Sequence, residues 1–373
     1  MERKIKLALL AGSALVASAV ISPARAETGE AYLARIHHHQ TVTSTVPANG
    51  DQNPYAMVIA PVSAGTVQKG DLLVDNFNNK ANLQGVGTTI INYRPSTGQT
   101  TLFAKIPQNL PGCPGGVGLS TAMVMLKSGW VIVGSAPSTD GTTKTLGKGC
   151  LIVLDAEGKV QGTIAGPNIA DPWGNMAWID NGDTATLFVS NAGFGIGAPG
   201  QPVQNTATVL RLDLSIPQGQ APKVTSETVI GNGFGAQADA SVFLVGPTGL
   251  ALGKNGTLYV SDAVGNQIVA IDQAATRTDS AGTGKTVTKG GFLNRPLAMA
   301  WAPNGNLLVT NALNGQVVEV DPETGKQLGA QWIDADEAQT PPGNGDLFGI
   351  VEAPGGQGFY YVEDDMNTVV LAH

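Results

Sequence analysis

A short strand-like segment recurs six times along this chain, and this repeat constrains the fold more than any other feature. Each copy has Val at its third place, apolar residues before it, and two small or polar residues after it. The six copies are 72–76, 131–135, 187–191, 258–262, 307–311 and 360–364. Val, Ile, Tyr and Phe favour extended structure, so each copy is predicted to be a β-strand. Regular self-similarity of this kind indicates one repeat architecture rather than a string of separate domains.

Each copy is preceded by a second predicted strand and followed by one or two more. The preceding strands begin at Pro54, Ser120, Trp173, Pro247, Pro296 and Leu347. Their third residue is Ala or Gly in five copies, whereas the copy that starts at Trp173 has Asn175 there. Small residues are expected where six strands converge on one axis. The chain is therefore predicted to be an all-β, six-bladed β-propeller of four-stranded antiparallel blades.

The sixth unit stops at His373 after only three predicted strands. Residues 41–46, Thr-Val-Thr-Ser-Thr-Val, are predicted to supply the missing strand and so to close the ring. The sequence thus predicts a single propeller domain over residues 41–373, preceded by an N-terminal arm over residues 27–40.

Residues 1–26 have the pattern of a secretory signal peptide. Three basic residues among the first six precede an apolar run over residues 7–21, and Ala24-Arg25-Ala26 follows as a cleavage site. An N-terminal anchor helix is the alternative, although the run is shorter than the ~20 residues of a membrane span. The sequence predicts a secreted or periplasmic protein with no membrane span after signal removal.

The charge balance limits the kinds of partner. The chain has 21 basic and 29 acidic side chains, and without residues 1–26 these become 17 and 28, a net charge of −11. This charge argues against nucleic acids and anionic membranes as partners, because both require a basic surface. A small-molecule ligand or an envelope protein is expected as partner, and the chain is expected to be a monomer.

The two cysteines, Cys113 and Cys150, both follow the signal segment. An oxidising compartment favours pairing them, and the alternative is two separate buried thiols. Neither cysteine fits a CxxC motif or a zinc cluster.

The units resemble NHL-type repeats, in which Pro-x-Gly precedes Leu-Tyr-Val-x-Asp and then Asn-x-Val. The best matches run from Pro247 through Asp262 to Val269 and from Pro296 to Asp321. More broadly, residues 41–373 resemble the six-bladed group of gluconolactonase/regucalcin-like and strictosidine synthase-like proteins. Such motifs are specific for architecture and poorly specific for chemistry.

Five connections are much longer than a blade requires, and all belong to the links that should emerge on one face of the ring. These loops are 107–118, 135–149, 191–206, 231–246 and 334–346. Long ordered loops on one rim usually carry function. We therefore expect the binding site on this face, at the mouth of the central channel.

The resemblance implies a metal at this mouth, because gluconolactonase-like proteins hold one with Glu, Asn and Asp. Asn175 and Asp346 approximate two of those places, while Asn53-Pro54 replaces the initial Glu. Oxygen ligands of this type suit Ca²⁺, so a calcium site at Asn53, Asn175 and Asp346 is one hypothesis. In the enzyme interpretation, Asp262 is the candidate catalytic base.

Arg295, Asn191 and Asn311 are candidate ligand-binding residues on the same rim. Arg295 can instead pair with a neighbouring carboxylate. The second-strand ends at Asn191, Asp262 and Asn311 can instead bond to nearby backbone in turns.

Histidine occurs only at positions 37, 38, 39 and 373, so no mid-chain loop offers an imidazole base. The run 37–39 is either a Cu²⁺ or Ni²⁺ ligand on a mobile arm or a solvated segment before the closing strand.

Three functions remain open from the sequence. The first is a secreted NHL-like propeller that binds a small ligand or a protein partner on its loop-rich face, without catalysis. The second is a Ca²⁺-dependent lactonase or esterase with its metal at the channel mouth. The third is an interaction scaffold in an envelope assembly. The residue pattern does not decide whether the protein is an enzyme.

Overall fold

A computed structural model of the chain describes residues 31–334, 336, 338–345 and 347–373. These residues form six antiparallel sheets arranged as the blades of a β-propeller, which confirms the predicted fold class. The predicted signal segment, residues 1–26, lies outside the described residues.

The strands follow the repeat. Blade 1 contains β2 (Gln52–Ile59), β3 (Leu72–Asn78), β4 (Thr89–Arg94) and β5 (Gln99–Lys105). Blade 2 contains β6 (Leu119–Met125), β7 (Val131–Ser135), β8 (Cys150–Leu154) and β9 (Val160–Ile164). Blade 3 contains β10 (Ala177–Asp180), β11 (Thr184–Asn191), β12 (Gln204–Ser215), β13 (Lys223–Asp239) and β14 (Phe243–Val245).

The remaining blades are more regular. Blade 4 contains β15 (Pro247–Leu252), β16 (Leu258–Asp262), β17 (Gln267–Ile271) and β18 (Lys285–Lys289). Blade 5 contains β19 (Pro296–Trp301), β20 (Leu307–Asn311), β21 (Gln316–Val320) and β22 (Gln327–Trp332). Blade 6 contains β23 (Leu347–Glu352), β24 (Phe359–Glu363), β25 (Thr368–Ala372) and β1 (His39–Ser44). Two short 3₁₀ turns, Tyr32–Arg35 and Thr143–Thr145, complete the list.

Blade 6 is closed by both ends of the described chain. Strand β1 pairs antiparallel with β25, from His39 opposite Ala372 to Ser44 opposite Thr368. This confirms the predicted closure, with the strand starting two residues earlier than residue 41. The ring therefore depends on hydrogen bonds between residues more than 300 positions apart.

Small residues let the innermost strands approach one another closely. A Cβ on Gly249 would lie 2.3 Å from the carbonyl oxygen of Leu297 in the next blade, and one on Gly349 would lie 2.5 Å from that of Tyr55. Real Cβ atoms do not approach a backbone oxygen so closely. The small residue in the repeat is thus required by the convergence of the blades, as the sequence predicted.

Hydroxyl groups link neighbouring inner strands. Ser261 Oγ accepts from the N–H of Gly249 in its own blade at 2.6 Å and donates to the carbonyl of Leu297 in the next. Ser190 does the same between blades 3 and 4, where its bond to the carbonyl of Thr248 is 3.3 Å long. Thr310 connects blade 5 to Phe348 of blade 6. In blades 3, 4 and 5, the residue at the fourth place of the repeat therefore links its blade to the next one.

Blade 3 departs from the repeat, since it has five strands rather than four. Region 231–246, predicted to be a loop, instead continues β13 to Asp239 and adds the short β14. The side chains of Phe234, Ala236 and Ala238 are buried alternately along β13, which is the period of a strand. Glycines at 231, 233 and 235 conceal this alternation in the sequence.

In blade 3, the small-residue position of the repeat lies one residue earlier than the sequence pattern indicates. Gly174, and not Asn175, has its N–H bonded to the hydroxyl at the fourth place of the repeat, as Gly249 does in blade 4. A Cβ on Gly174 would lie 1.6 Å from the carbonyl oxygen of Thr248. Gly174 is therefore the small residue of this blade, and Asn175 is free to point elsewhere.

Cys113 and Cys150 form a disulfide with a Cα–Cα distance of 5.2 Å. It joins the loop before β6 to the first residue of β8, as the sequence predicted.

Candidate functional site

The five regions predicted to be long loops contact one another in chain order around one face of the ring. The contacts are Gly115 with Lys148, Leu146 with Gly193, Gly193 with Leu244, Gln201 with Gln237, and Ser241 with Asn344. The sequence predicted that these loops share a face. We call this surface the loop-rich face.

Five aromatic rings fill the channel beneath this face. They are Tyr55, Phe77, Trp173, Phe243 and Phe348, each at most 3% exposed. The ring of Tyr55 stacks on Phe348 with centroids 3.7 Å apart and on Phe77 at 4.3 Å. Trp173 packs edge-on against Phe77 at 5.6 Å and stacks on Phe243 at 6.0 Å. This aromatic plug makes the channel mouth an apolar core rather than an open polar pocket.

Two buried carboxyl groups lie close to the aromatic plug in sequence and structure. Asp75 is fully buried, and its Oδ1 accepts from the N–H of Ala56 at 2.7 Å, while its Oδ2 has no described hydrogen-bond partner. Asp171 is also fully buried, and neither of its carboxyl oxygens has a described hydrogen bond. Burial raises the pKa of both groups well above the ordinary range.

Asn175, a predicted metal ligand, reaches across the channel to two other blades. Its Nδ2 donates to the carbonyl of Leu250 at 3.0 Å and also contacts that of Met299, while its Oδ1 accepts from the N–H of Met299 at 3.1 Å. The side-chain amide of Asn175 is thus already hydrogen-bonded to inner strands β15 and β19.

Asn53, a second predicted metal ligand, lies where blades 6 and 1 meet. Its Nδ2 donates to Asp364 at 3.0 Å, and its buried Oδ1 has no described hydrogen bond. Its backbone has a φ of 63°. The third predicted ligand, Asp346, lies outside the described residues. A calcium site at Asn53, Asn175 and Asp346 remains a prediction.

The predicted residues at second-strand ends bind adjacent backbone and side chains. Asp262 accepts from the N–H of Gly265 and from Gln267 Nε2, both at 2.9 Å. Asn191 Oδ1 accepts from the N–H groups of residues 170 and 171. These contacts fix the turn after the strand and the incoming loop. The roles predicted for Asp262 in catalysis and for Asn191 in ligand binding remain untested by this geometry.

Asn311 and Arg295 are likewise engaged with neighbouring loops. Asn311 donates to the carbonyl of Phe292 at 2.8 Å and accepts from the N–H of Asn294 at 3.0 Å. Arg295 has a φ of 56°, and its guanidinium donates to the carbonyl of Ala263 at 3.2 Å. Its described partners are backbone carbonyls, and neither a carboxylate nor an exogenous anion is needed to position it.

An acidic cleft of about 390 Å³ opens on the loop-rich face between blades 5 and 6. Its described lining consists of Ile333, Asp334, Asp336, Glu363, Asp365 and Met366. Burial raises the pKa of Glu363, and the neighbouring carboxylate of Asp334 raises it further. Sequence reasoning missed this cleft, although acidic residues cluster after both β22 and β24 and could have indicated it.

Neither a metal-binding cluster nor a membrane-spanning helix is found among the residues that the structure describes. Across those residues, no three His, Cys, Asp or Glu side chains converge as a metal site would require. Likewise, none of the described helices has the length and apolar character needed to cross a bilayer.

No family model matches the sequence, and a search of curated proteins returns no match. Solved structures do resemble the fold. A gluconolactonase from Xanthomonas campestris is 13% identical with a TM-score of 0.55, over 90% of this chain and 88% of that one.

Two other similar structures are enzymes of different chemistry. The PQQ-bound aldose sugar dehydrogenase from Streptomyces coelicolor is 14% identical, with a TM-score of 0.53 over 90% of this chain and 97% of that one. A luciferin-regenerating enzyme is 13% identical, with a TM-score of 0.51 over 90% and 94%. At such low identity the likeness establishes the six-bladed propeller fold and not the chemistry.

Proposed function

We propose that this protein is an exported binding module, which recognises a positively charged ligand or partner protein through its loop-rich face. The observation that carries this proposal is the acidic cleft, where four carboxyl groups surround about 390 Å³ at the edge of that face. The disulfide supports export, because such bonds persist in oxidising compartments.

The electrostatics of the cleft favour a cation. Asp334, Asp336 and Asp365 all raise the pKa of Glu363, whose burial raises it already. A bound positive charge would relieve this repulsion and stabilise the ionised carboxyl groups. Met366, which is 67% exposed, offers an apolar contact beside the charges.

A tetralysine peptide is a suitable probe of this cleft. We expect it to bind the full chain with an affinity that falls as salt is raised, because exposed charges are screened. The double variant Glu363→Gln/Asp365→Asn is expected to weaken binding about tenfold, which corresponds to roughly 1.4 kcal/mol. Isothermal titration calorimetry measures both effects.

The matched control is Asp183→Asn, which removes one exposed carboxylate from the hairpin between β10 and β11. This hairpin belongs to the set of short links on the opposite face. Affinity should change less than twofold in the control. Equal binding by the wild type and the cleft variant would refute the proposal.

Export is tested separately. N-terminal sequencing of protein recovered from the periplasm or the medium is expected to begin at Glu27, directly after the Ala24-Arg25-Ala26 site. A chain that keeps Met1, or that remains in the cytoplasm, would contradict this part of the proposal.

A Ca²⁺-dependent lactonase or esterase is the second candidate, and the unpartnered, buried Oδ1 of Asn53 favours it. Calcium should then raise the melting temperature of the wild type, and EDTA should reverse the shift. Asn53→Gly removes this oxygen while tolerating the φ of 63°. The hydrolase hypothesis fails if calcium causes no shift and neither lactones nor esters are turned over.

A further inference from the structure

The chain has four histidines, and two of them meet where blade 6 closes. His38 precedes β1 and His373 follows β25, and each donates its backbone N–H to the carbonyl of the other at 2.9 Å. Their imidazole rings have centroids 5.6 Å apart. Residues from opposite ends of the chain thus form one cross-strand pair.

The geometry of this pair suits a shared metal ion. Directly opposed residues in an antiparallel pair place their side chains on the same face of the sheet. A metal bound to two imidazole nitrogens at about 2 Å each, with ring radii of about 1 Å, spans roughly 6 Å between centroids at most. The observed 5.6 Å lies within this reach.

The segment that carries His38 is fixed to the propeller. Tyr32, Leu33 and Ile36 are buried against blades 5 and 6. The N–H of Leu33 donates to Glu319 Oε2 at 2.9 Å, and Gln331 Nε2 donates to the carbonyl of Ile36 at 2.8 Å. The pair is therefore held in place before any ligand arrives, which lowers the entropic cost of binding.

The other two histidines differ from this pair. His39 presents its Nδ1 to the hydroxyl of Tyr361 at 3.3 Å, so its ring is engaged with β24. His37 is exposed, and no side-chain contact is described for it. His39 is paired with Ala372 across the strands, and the N–H of His37 also donates to the carbonyl of His373, at 3.1 Å.

A cavity of about 580 Å³ lies next to His373, on the face opposite the long loops. His373 lines it together with Gln40, Tyr360 and Leu371. A metal with two protein ligands at this place would keep its remaining positions open toward the cavity, for water or another small ligand.

We propose that His38 and His373 form a two-imidazole binding site for a divalent transition metal of the Cu²⁺ or Ni²⁺ type. Imidazole suits these ions, and Cu²⁺ is expected to bind more tightly than Ni²⁺. The site is on the opposite face from the acidic cleft and does not depend on the function proposed above.

The test uses the full chain without an affinity tag, titrated with Ni²⁺ and then with Cu²⁺. We expect one ion per chain, and at least tenfold weaker binding in each of His38→Ala and His373→Ala. His37→Ala is the matched control, because it keeps the cross-strand pair, and its affinity should stay within twofold of the wild type. Electron paramagnetic resonance of the Cu²⁺ form should show two imidazole nitrogens in the wild type and one in each single variant.

Both ligands are exposed, so their loss should leave the metal-free melting temperature unchanged. Nickel should raise the melting temperature of the wild type and of His37→Ala, but not that of His38→Ala. If His37→Ala weakens binding as much as His38→Ala, or if His373→Ala binds normally, the run 37–39 acts alone and the cross-strand site is wrong. Absence of binding by the wild type would also overturn the proposal.

Discussion

Blades 3 and 4 are neighbours in the ring, yet they satisfy their buried polar groups differently. In blade 4, Ser261 and Asp262 each make two short hydrogen bonds to nearby groups. In blade 3, Asp171 is fully buried without a described hydrogen bond, and Asn175 crosses the channel to bond with other blades. The comparison shows that blade 4 satisfies these polar groups locally, whereas blade 3 buries one carboxyl group without a described partner, which costs stability.

The largest expected effect comes from the close approach that the two blades share. Gly174→Ala would place a methyl group 1.6 Å from the carbonyl oxygen of Thr248, which belongs to backbone and cannot rotate away. We expect the free energy of unfolding to fall by about 3 kcal/mol or more. Urea unfolding measures this change.

Gly329→Ala is the control, because a Cβ there meets no atom within 4 Å and its φ is not positive. Alanine is favoured over glycine in a strand by roughly 0.5 kcal/mol, so this variant should be as stable as the wild type or slightly more so. Similar losses at both glycines would show that the inner strands do not approach as described.

The next largest loss of stability is expected when the hydroxyl groups that link neighbouring blades are removed. Ser261→Ala would leave the N–H of Gly249 and the carbonyl of Leu297 without this partner, and is expected to cost about 2 kcal/mol. Ser190→Ala should cost less, because its bonds of 3.1 and 3.3 Å are longer. Paired urea unfolding curves test this order, and a larger loss at Ser190 would reverse the comparison.

The smallest expected change is a gain in the free energy of unfolding rather than a loss. Because burial raises the pKa of Asp171 above its ordinary 3.8, the folded protein holds this proton more tightly than the unfolded chain. Its contribution to stability is therefore complete below about pH 3.8 and is lost as the pH rises toward the folded pKa. Asp171→Asn should be more stable than the wild type at pH 8, by about 1 kcal/mol, and the difference should shrink at pH 5.

Asp262→Asn provides the contrast in blade 4. Its new amide would face the Nε2 donor of Gln267, so this variant should lose stability where Asp171→Asn gains it. A loss of stability at both positions would indicate that Asp171 has a favourable partner in the folded protein.

The repeat predicted the architecture because each blade must bury the same faces and meet the same axis. The six Val-centred strands, the small residue at Gly249 and Gly349, and the pairing of Cys113 with Cys150 follow from local pattern and compartment. The position of the Asn175 side chain could not be predicted from the repeat, because a shift of one residue in blade 3 does not change the composition of the segment. The acidic cleft was missed because it combines a loop after blade 5 with a turn in blade 6.

The loop-rich face was therefore easier to predict than the arrangement of side chains at the channel mouth. Loop lengths alone placed five connections on one side, since an up-and-down blade alternates its links between two faces. By contrast, the burial of Asp171 and the filling of the channel by Tyr55 and Trp173 depend on how side chains from different blades meet. No single-blade pattern contains that information.

The aromatic plug also gives the molecule an internal optical reporter. Trp173 is fully buried and packs against Phe243, which belongs to region 231–246 of the loop-rich face. A rearrangement at the channel mouth would change the surroundings of this indole before it disturbed the outer strands. Its fluorescence, isolated by replacing the other four tryptophans, would follow events on the loop-rich face in real time.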